Sequence, residues 1–182
     1  VVAQGGAARR AGVDGDRDVS DEGLVAQVGE EPAPCGHPLV GLIGVGGIGS
    51  EMIPRARAFG MPVVAWSRRL TPERARELGI ERKESTRDVA AASDVVSVHV
   101  ALKPETTGLI GRDFFDAMRP GAFFVNTSRA EVVDQAALAR AVSERGLRAG
   151  LDVFAGEPSG GSGSVDDPIF QLPGVIGTHH IG

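Results

Sequence analysis

A chain of 182 residues, 42% hydrophobic and 24% charged, can bury one sizeable core but not two full α/β domains. Its formal charge of −5 excludes a basic surface built for nucleic acid, and no apolar run approaches the ~18 residues of a membrane span. The lone Cys35 excludes an internal disulfide and no Cys/His cluster has metal-ligand spacing, so no metal is expected and a reducing, cytoplasmic setting is.

The chain opens on Val1 with no signal-peptide pattern, which marks a processed end or a fragment boundary. Residues 1–38 have no aromatic and many glycines and acids; only Asp21 to Val28 has helical character, so a flexible or remnant segment is expected there. From 39 to 182 the pattern changes. Nearly continuous apolar runs at Leu39–Ile43, Pro62–Trp66, Val95–Val100, Ala122–Asn126, Ala149–Phe154 and Val175–Ile176 predict strands buried on both faces. Helices are predicted between them at Gly47–Phe59, Pro72–Leu78, Thr86–Ala92, Arg112–Met118 and Gln135–Glu144. Thr71 and Asp134 serve as caps and Gly146 as a stop. This alternation predicts a parallel sheet with right-handed crossovers and helices on both faces. Ser159–Ser164 (SGGSGS) reads as a flexible loop.

Gly44-Val45-Gly46-Gly47-Ile48-Gly49 follows the first predicted strand, opens the first predicted helix and precedes a second strand. That context makes it a dinucleotide-binding turn and the fold class an α/β, Rossmann-type, doubly wound parallel sheet. Gly44 permits the turn, Gly46 leaves the pyrophosphate room, and Gly49 lets helix and strand approach. The N–H groups of Gly47 and Ile48, at the positive end of the helix dipole, face the phosphates. Pro54 conflicts with this helix unless the helix bends or packing compensates. After the second strand, Ser67 stands where NAD-binding folds place an acid, and Arg68 and Arg69 follow. Guanidinium groups suit a 2′-phosphate, so NADP is expected to be accepted and preferred over NAD.

Three further signals end later strands: Asn126-Thr127-Ser128-Arg129, Asp152-Val153-Phe154-Ala155-Gly156-Glu157-Pro158 and Thr178-His179-His180-Ile181-Gly182. With VGLIGVGGIG, SDVVSVHVALKPETTGLI and MRPGAFFVNTSRAEVVD in the same order, residues 39–182 resemble the cofactor-binding domain of the D-2-hydroxyacid dehydrogenases, D-3-phosphoglycerate dehydrogenases in particular. The resemblance implies a catalytic trio. His180 exchanges the substrate proton, Glu157 pairs with that histidine and raises its pKa, and Arg129 holds the substrate carboxylate and polarises its carbonyl. Asp152 faces the nicotinamide carboxamide, and Thr127, Ser128, Arg129 and His180 complete the cofactor-binding set. Such types suit the chemistry, because hydride addition puts negative charge on the carbonyl oxygen and a histidine near neutrality can donate a proton. His99 is expected to be a packed strand-end residue, and His179 structural or substrate-adjacent.

The implied activity is hydride transfer between NAD(P) and a D-2-hydroxy or 2-keto acid of the phosphoglycerate or hydroxypyruvate/glyoxylate type. The alternative is a catalytically inactive, sensor- or corepressor-like dinucleotide-binding module. Partners are then the dinucleotide and a small acid, with neither nucleic acid nor membrane. Relatives in the family carry a substrate domain built from both chain ends. Its pattern is largely missing here, so turnover by this chain alone is expected to be weak. The helices that often build the family's dimer interface are missing too, which leaves a homodimer open. An incomplete gene, a frameshift upstream of Pro38 and a true truncation all fit.

Overall fold

Strands β1 (Val40–Ile43), β2 (Val63–Trp66), β3 (Glu81–Arg82), β4 (Val95–Val98), β5 (Phe123–Asn126), β6 (Arg148–Leu151) and β7 (Val175–Gly177) form one parallel sheet in the order β3-β2-β1-β4-β5-β6-β7. The computed structural model describes residues 36–154, 167–178 and 180, all within a unit spanning Cys35–Gly182. Between the strands run α1 (Gly47–Ala58), α2 (Pro72–Leu78), α3 (Thr86–Ala92), α4 (Arg112–Ala117) and α5 (Gln135–Arg145). The chain winds outward from β1 to β3, then returns to β4 on the other side of β1. The order therefore reverses between β1 and β4, which in open α/β sheets is where a crevice forms beyond the strand ends.

Side-chain alternation along β1 assigns the two faces. Val40 and Leu42 pack with Val63 and Ala65 of β2 against Ile53 and Ala56 of α1 and Ala75 of α2. Ile43, Val64, Val96 and Val98 point the other way, into a larger core with Val89 of α3, Phe114 and Phe115 of α4 and Leu138 and Val142 of α5. Phe114, Phe115 and Phe124 form an edge-to-face group with ring centroids 5.1 to 6.1 Å apart. Gly41 is required for this packing. A Cβ there would lie 2.3 Å from Ser93 Oγ and 2.5 Å from Val89 Cγ1, pushing α3 off the sheet. At the opposite end of the strands, Asp94 accepts from Leu39 N at 2.8 Å and from Arg119 at 2.7 Å. The backbone hydrogen bond first, and then Arg119, hold its carboxyl below the usual carboxylate range despite partial burial.

Helix termini follow the sequence. Thr71 accepts from Arg74 N at 3.2 Å and Asp134 from Ala137 N at 3.0 Å, and Gly146 takes the left-handed conformation at the end of α5. Four features differ from expectation. β3 is an unanticipated seventh strand. β4 stops at Val98 and β6 at Leu151, short of the predicted Val100 and Phe154, because the chain leaves the sheet there to build loops. Short 3-10 turns occur at Ala130–Val132 and Pro168–Gln171. Finally, α1 runs unbroken through Pro54. Pro54 lies on the exposed side of the helix, while Ile53 and Ala56 are buried and anchor both flanking turns. Proline has no N–H, so Ser50 O loses its helical donor. Nearby, the Ser50 hydroxyl donates to Gly46 O at 2.7 Å and the Arg55 guanidinium donates to Glu51 O. The proposed Asp21–Val28 helix and the Ser159–Ser164 loop lie outside the described residues.

Candidate functional site

The first loop leaves β1 at Gly44, whose φ of +98° is the left-handed region that favours glycine. Gly44 N donates to Trp66 O at 2.8 Å, so the turn is tied to β2. A Cβ on Gly49 would sit 2.1 Å from Gly44 O, so helix and turn meet backbone to backbone at that point. Gly46 behaves differently. Its φ of −87° suits any residue, and a Cβ there, as on Gly47, would meet no atom of the described residues within 4 Å. The described residues thus give no steric reason for glycine at position 46; a group lying against the turn would. Gly46 also caps α1 without any side-chain hydrogen bond, and the first turn holds no acid. The N–H groups of Gly47 and Ile48 accordingly begin a 12-residue helix whose positive end is uncompensated. Together these features fit a diphosphate.

A cavity of about 300 Å³ continues from this turn, between the end of β2 and the loop after β4. Trp66, Ser67, Arg68 and Arg69 form one wall. Leu70 N donates to Ser67 O at 3.0 Å, and buried Leu70 anchors that turn, so Arg68 and Arg69 project from a fixed base. Opposite, His99, Lys103 and Glu105 line the cavity. His99 is half-buried at the end of β4, with Nε2 2.9 Å from Ser97 Oγ. Burial pushes its pKa below the ordinary histidine value, so the imidazole is neutral at pH 7. It is a strand-end residue as read from the sequence, and it also forms part of the cavity wall.

The remaining residues gather at the ends of the next three strands. Asn126, 1% exposed at the end of β5, accepts at Oδ1 from Ser128 N (3.0 Å) and Ser128 Oγ (2.8 Å) and donates from Nδ2 to Arg129 O (3.0 Å). This clamp sets the 126–129 turn and leaves the Arg129 side chain exposed. Asp152 follows β6 and is buried; Thr178 Oγ1 donates to its Oδ1 at 2.5 Å, and Asp152 N donates to Asn126 O at 3.0 Å. His180 follows β7 with φ of +52°, the one positive φ at a non-glycine among the described residues. Arg129, Asp152 and His180 therefore stand beyond the carboxyl ends of three neighbouring strands, on the same sheet edge as the glycine turn. Glu157 and His179 lie outside the described residues. Sequence reasoning passed over Asn126 and Thr178. The structural signal is a hydrogen bond to a candidate site residue or its loop, from buried Asn126 and from exposed Thr178, and only the position of each beside a strand end hints at it in sequence. No group of His, Cys, Asp and Glu able to hold a metal occurs among the described residues, and no helix there is long and apolar enough to cross a membrane.

The family model described as the D-isomer specific 2-hydroxyacid dehydrogenase, NAD binding domain, matches residues 7–182. The chain belongs to this family. It is 44% identical over 144 residues to a D-3-phosphoglycerate dehydrogenase of Mycobacterium bovis, covering 79% of this chain and 26% of the relative. It is 38% identical over 144 residues to a glyoxylate reductase of Thermococcus litoralis, covering 79% and 42%. Among solved structures, the NAD-complexed D-isomer specific 2-hydroxyacid dehydrogenase of Lactobacillus delbrueckii ssp. bulgaricus superposes with a TM-score of 0.69 at 33% identity, covering 79% of this chain and 46% of that one. The chain thus spans about a quarter of the phosphoglycerate dehydrogenase it matches. Both the fold and the dinucleotide-binding assignment made from the glycine motif agree with the family.

Proposed function

We propose that residues 39–182 form the cofactor-binding domain of an NADP-preferring D-2-hydroxyacid dehydrogenase that interconverts a 2-keto acid of the hydroxypyruvate, glyoxylate or phosphoglycerate-derived type with its D-2-hydroxy acid. The observation that carries it is the ligand-sized opening above Gly46, at the uncapped start of α1. Gly44, Gly46, Gly47, Ile48 and Gly49 hold the diphosphate there, while Ser67, Arg68 and Arg69 receive the adenosine end. Serine in place of an acid removes the repulsion a 2′-phosphate would meet, and two guanidinium groups attract it. Thr127, Ser128 and Asp152 line the nicotinamide end.

Bound nicotinamide dinucleotide supplies the hydride. The Arg129 guanidinium holds the substrate carboxylate and stabilises negative charge on the carbonyl oxygen as hydride reaches the carbon. The protonated His180 imidazole gives its proton to that oxygen, yielding the hydroxy acid, and in the reverse direction takes it back. The chain's resemblance to the family assigns Glu157 as the carboxylate partner of this histidine. Buried Asn126 fixes the loop that carries Arg129, and Thr178 fixes Asp152.

The sole tryptophan, Trp66, lines the cavity, so its fluorescence reports binding directly. NADPH should bind more tightly than NADH. Gly46→Ala should weaken both by about tenfold or more while leaving thermal stability unchanged, because its methyl fills ligand space alone. Unchanged affinity in that variant would remove the diphosphate from this turn. Reduction of hydroxypyruvate and glyoxylate is measured in this chain and in versions extended at both ends with a substrate domain. There, Arg129→Gln and His180→Ala should each cost about a hundredfold or more.

A further inference from the structure

The cavity beside β2 holds more positive charge than the arginine pair supplies. Lys103 belongs to a different loop, after β4, on the far side of β1, yet it lines the same cavity as Arg68 and Arg69. Neither Lys103 nor Arg69 has a side-chain hydrogen bond or ion-pair partner among the described residues. Three cations and one carboxylate, Glu105, thus surround a space of about 300 Å³ in a chain whose net charge is −5. Glu105 Oε1 stands 3.9 Å from Arg68 Nη1, with both side chains more than half exposed.

The backbone of the loop that carries Lys103 and Glu105 is also fixed. Thr106 Oγ1 accepts from Lys103 N at 2.8 Å and donates to Ala101 O at 2.7 Å, and Thr106 N donates to Lys103 O at 2.9 Å. Lys103 and Glu105 therefore project from a turn closed on itself rather than from a slack segment. A ribose hydroxyl requires no such concentration of cations. A 2′-phosphate, carrying close to two negative charges at neutral pH, does.

Resting on the NADP reading above, we propose that this loop sets the degree of cofactor discrimination: Lys103 completes a 2′-phosphate seat with Arg68 and Arg69, and Glu105 is the counter-ion that the phosphate must displace from Arg68. Lys103 then strengthens binding of the phosphorylated cofactor alone, and Glu105 weakens it. The unphosphorylated cofactor gains nothing from Lys103 and leaves the Arg68–Glu105 pair intact.

Calorimetric titration with adenosine 2′,5′-bisphosphate and adenosine 5′-phosphate isolates this end of the ligand without any turnover. Lys103→Thr should weaken the bisphosphate by about tenfold and leave the monophosphate within about twofold. Glu105→Gln should tighten the bisphosphate by about threefold or more, and that gain should vanish in the Arg68→Gln background, since the effect runs through Arg68. If the unaltered chain binds both nucleotides equally and Arg68→Gln changes neither, the NADP reading fails and this proposal with it. If the unaltered chain prefers the bisphosphate and Arg68→Gln abolishes that preference, while Lys103→Thr and Glu105→Gln leave it intact, the NADP reading stands and the loop proposal alone is overturned. Equal weakening of both nucleotides by Lys103→Thr would assign that lysine to the shared 5′-phosphate and also overturn it.

Discussion

His99 shows how one side chain can be both a structural plug and a source of pH dependence. Its backbone N donates to Ile43 O at 2.7 Å, and its carbonyl oxygen would be 2.6 Å from a Cβ on Gly44, so it closes the floor of the glycine turn. Burial lowers its pKa below the ordinary histidine value. The unfolded chain therefore takes up this proton at a higher pH than the folded one. Stability from the neutral ring is complete above about pH 6.5 and is lost as pH falls from there through the folded-state value. His99→Gln should flatten that part of the profile, read as the urea midpoint at several pH values between about 7.5 and 5. An unchanged slope would mean that His99 titrates as an ordinary exposed histidine. The same residue marks what the sequence conceals. Its place at the end of a strand was legible in the run SVHV, but its part in the cavity wall was not, because that depends on the turn after β2 on the far side of β1.

Among elements, the helices were legible where local chemistry decides their ends. Thr71 before Pro72, and Asp134 with Gly146, define α2 and α5 because a side-chain oxygen or a left-handed glycine satisfies groups the helix cannot. β3 was not legible. It is two residues long, charged, and at the sheet edge, where Lys83 pairs with Glu81 at 2.5 Å and Arg82 with Glu84. Edge strands need no apolar run, and charge protects them from pairing with another chain. α1 is the instructive conflict. Proline costs a helix interior about 3 kcal/mol, but the buried Ile53 and Ala56 outweigh it. Pro54→Ala restores a donor for Ser50 O, at the expense of a more flexible unfolded chain. The expected net gain is about 2 kcal/mol, seen as a higher urea midpoint with the same slope. A loss of stability would show that the proline ring's restriction of the unfolded chain outweighs the missing hydrogen bond. Gly49→Ala, in the same helix, should cost more than 2 kcal/mol or so, since its Cβ meets Gly44 backbone with nothing flexible to yield.

At the scale of the whole sheet, the two faces are covered unequally. α3, α4 and α5 pack on one face along the greater part of its width. On the other, α1 and α2 cover β1 and β2, and the half made by β5, β6 and β7 carries Phe123, 43% exposed, and Ile176, 74% exposed. This asymmetry could not be read from the sequence, because Phe123 and Phe124 sit side by side in one apolar run. Period-two alternation says they face opposite ways without saying which side is covered. Their energetics should differ accordingly. Phe124 is fully buried against Phe114 and Phe115, so Phe124→Ala should cost about 3 to 5 kcal/mol. Phe123 has partial burial and the Arg148 guanidinium 5.1 Å from its ring centroid, so Phe123→Ala should cost about 1 kcal/mol. Urea denaturation of both variants compares them directly. Near-equal losses would mean that Phe123 is covered in solution, by another part of the chain or by a second copy, and concentration dependence of the Phe123→Ala loss would separate those two cases.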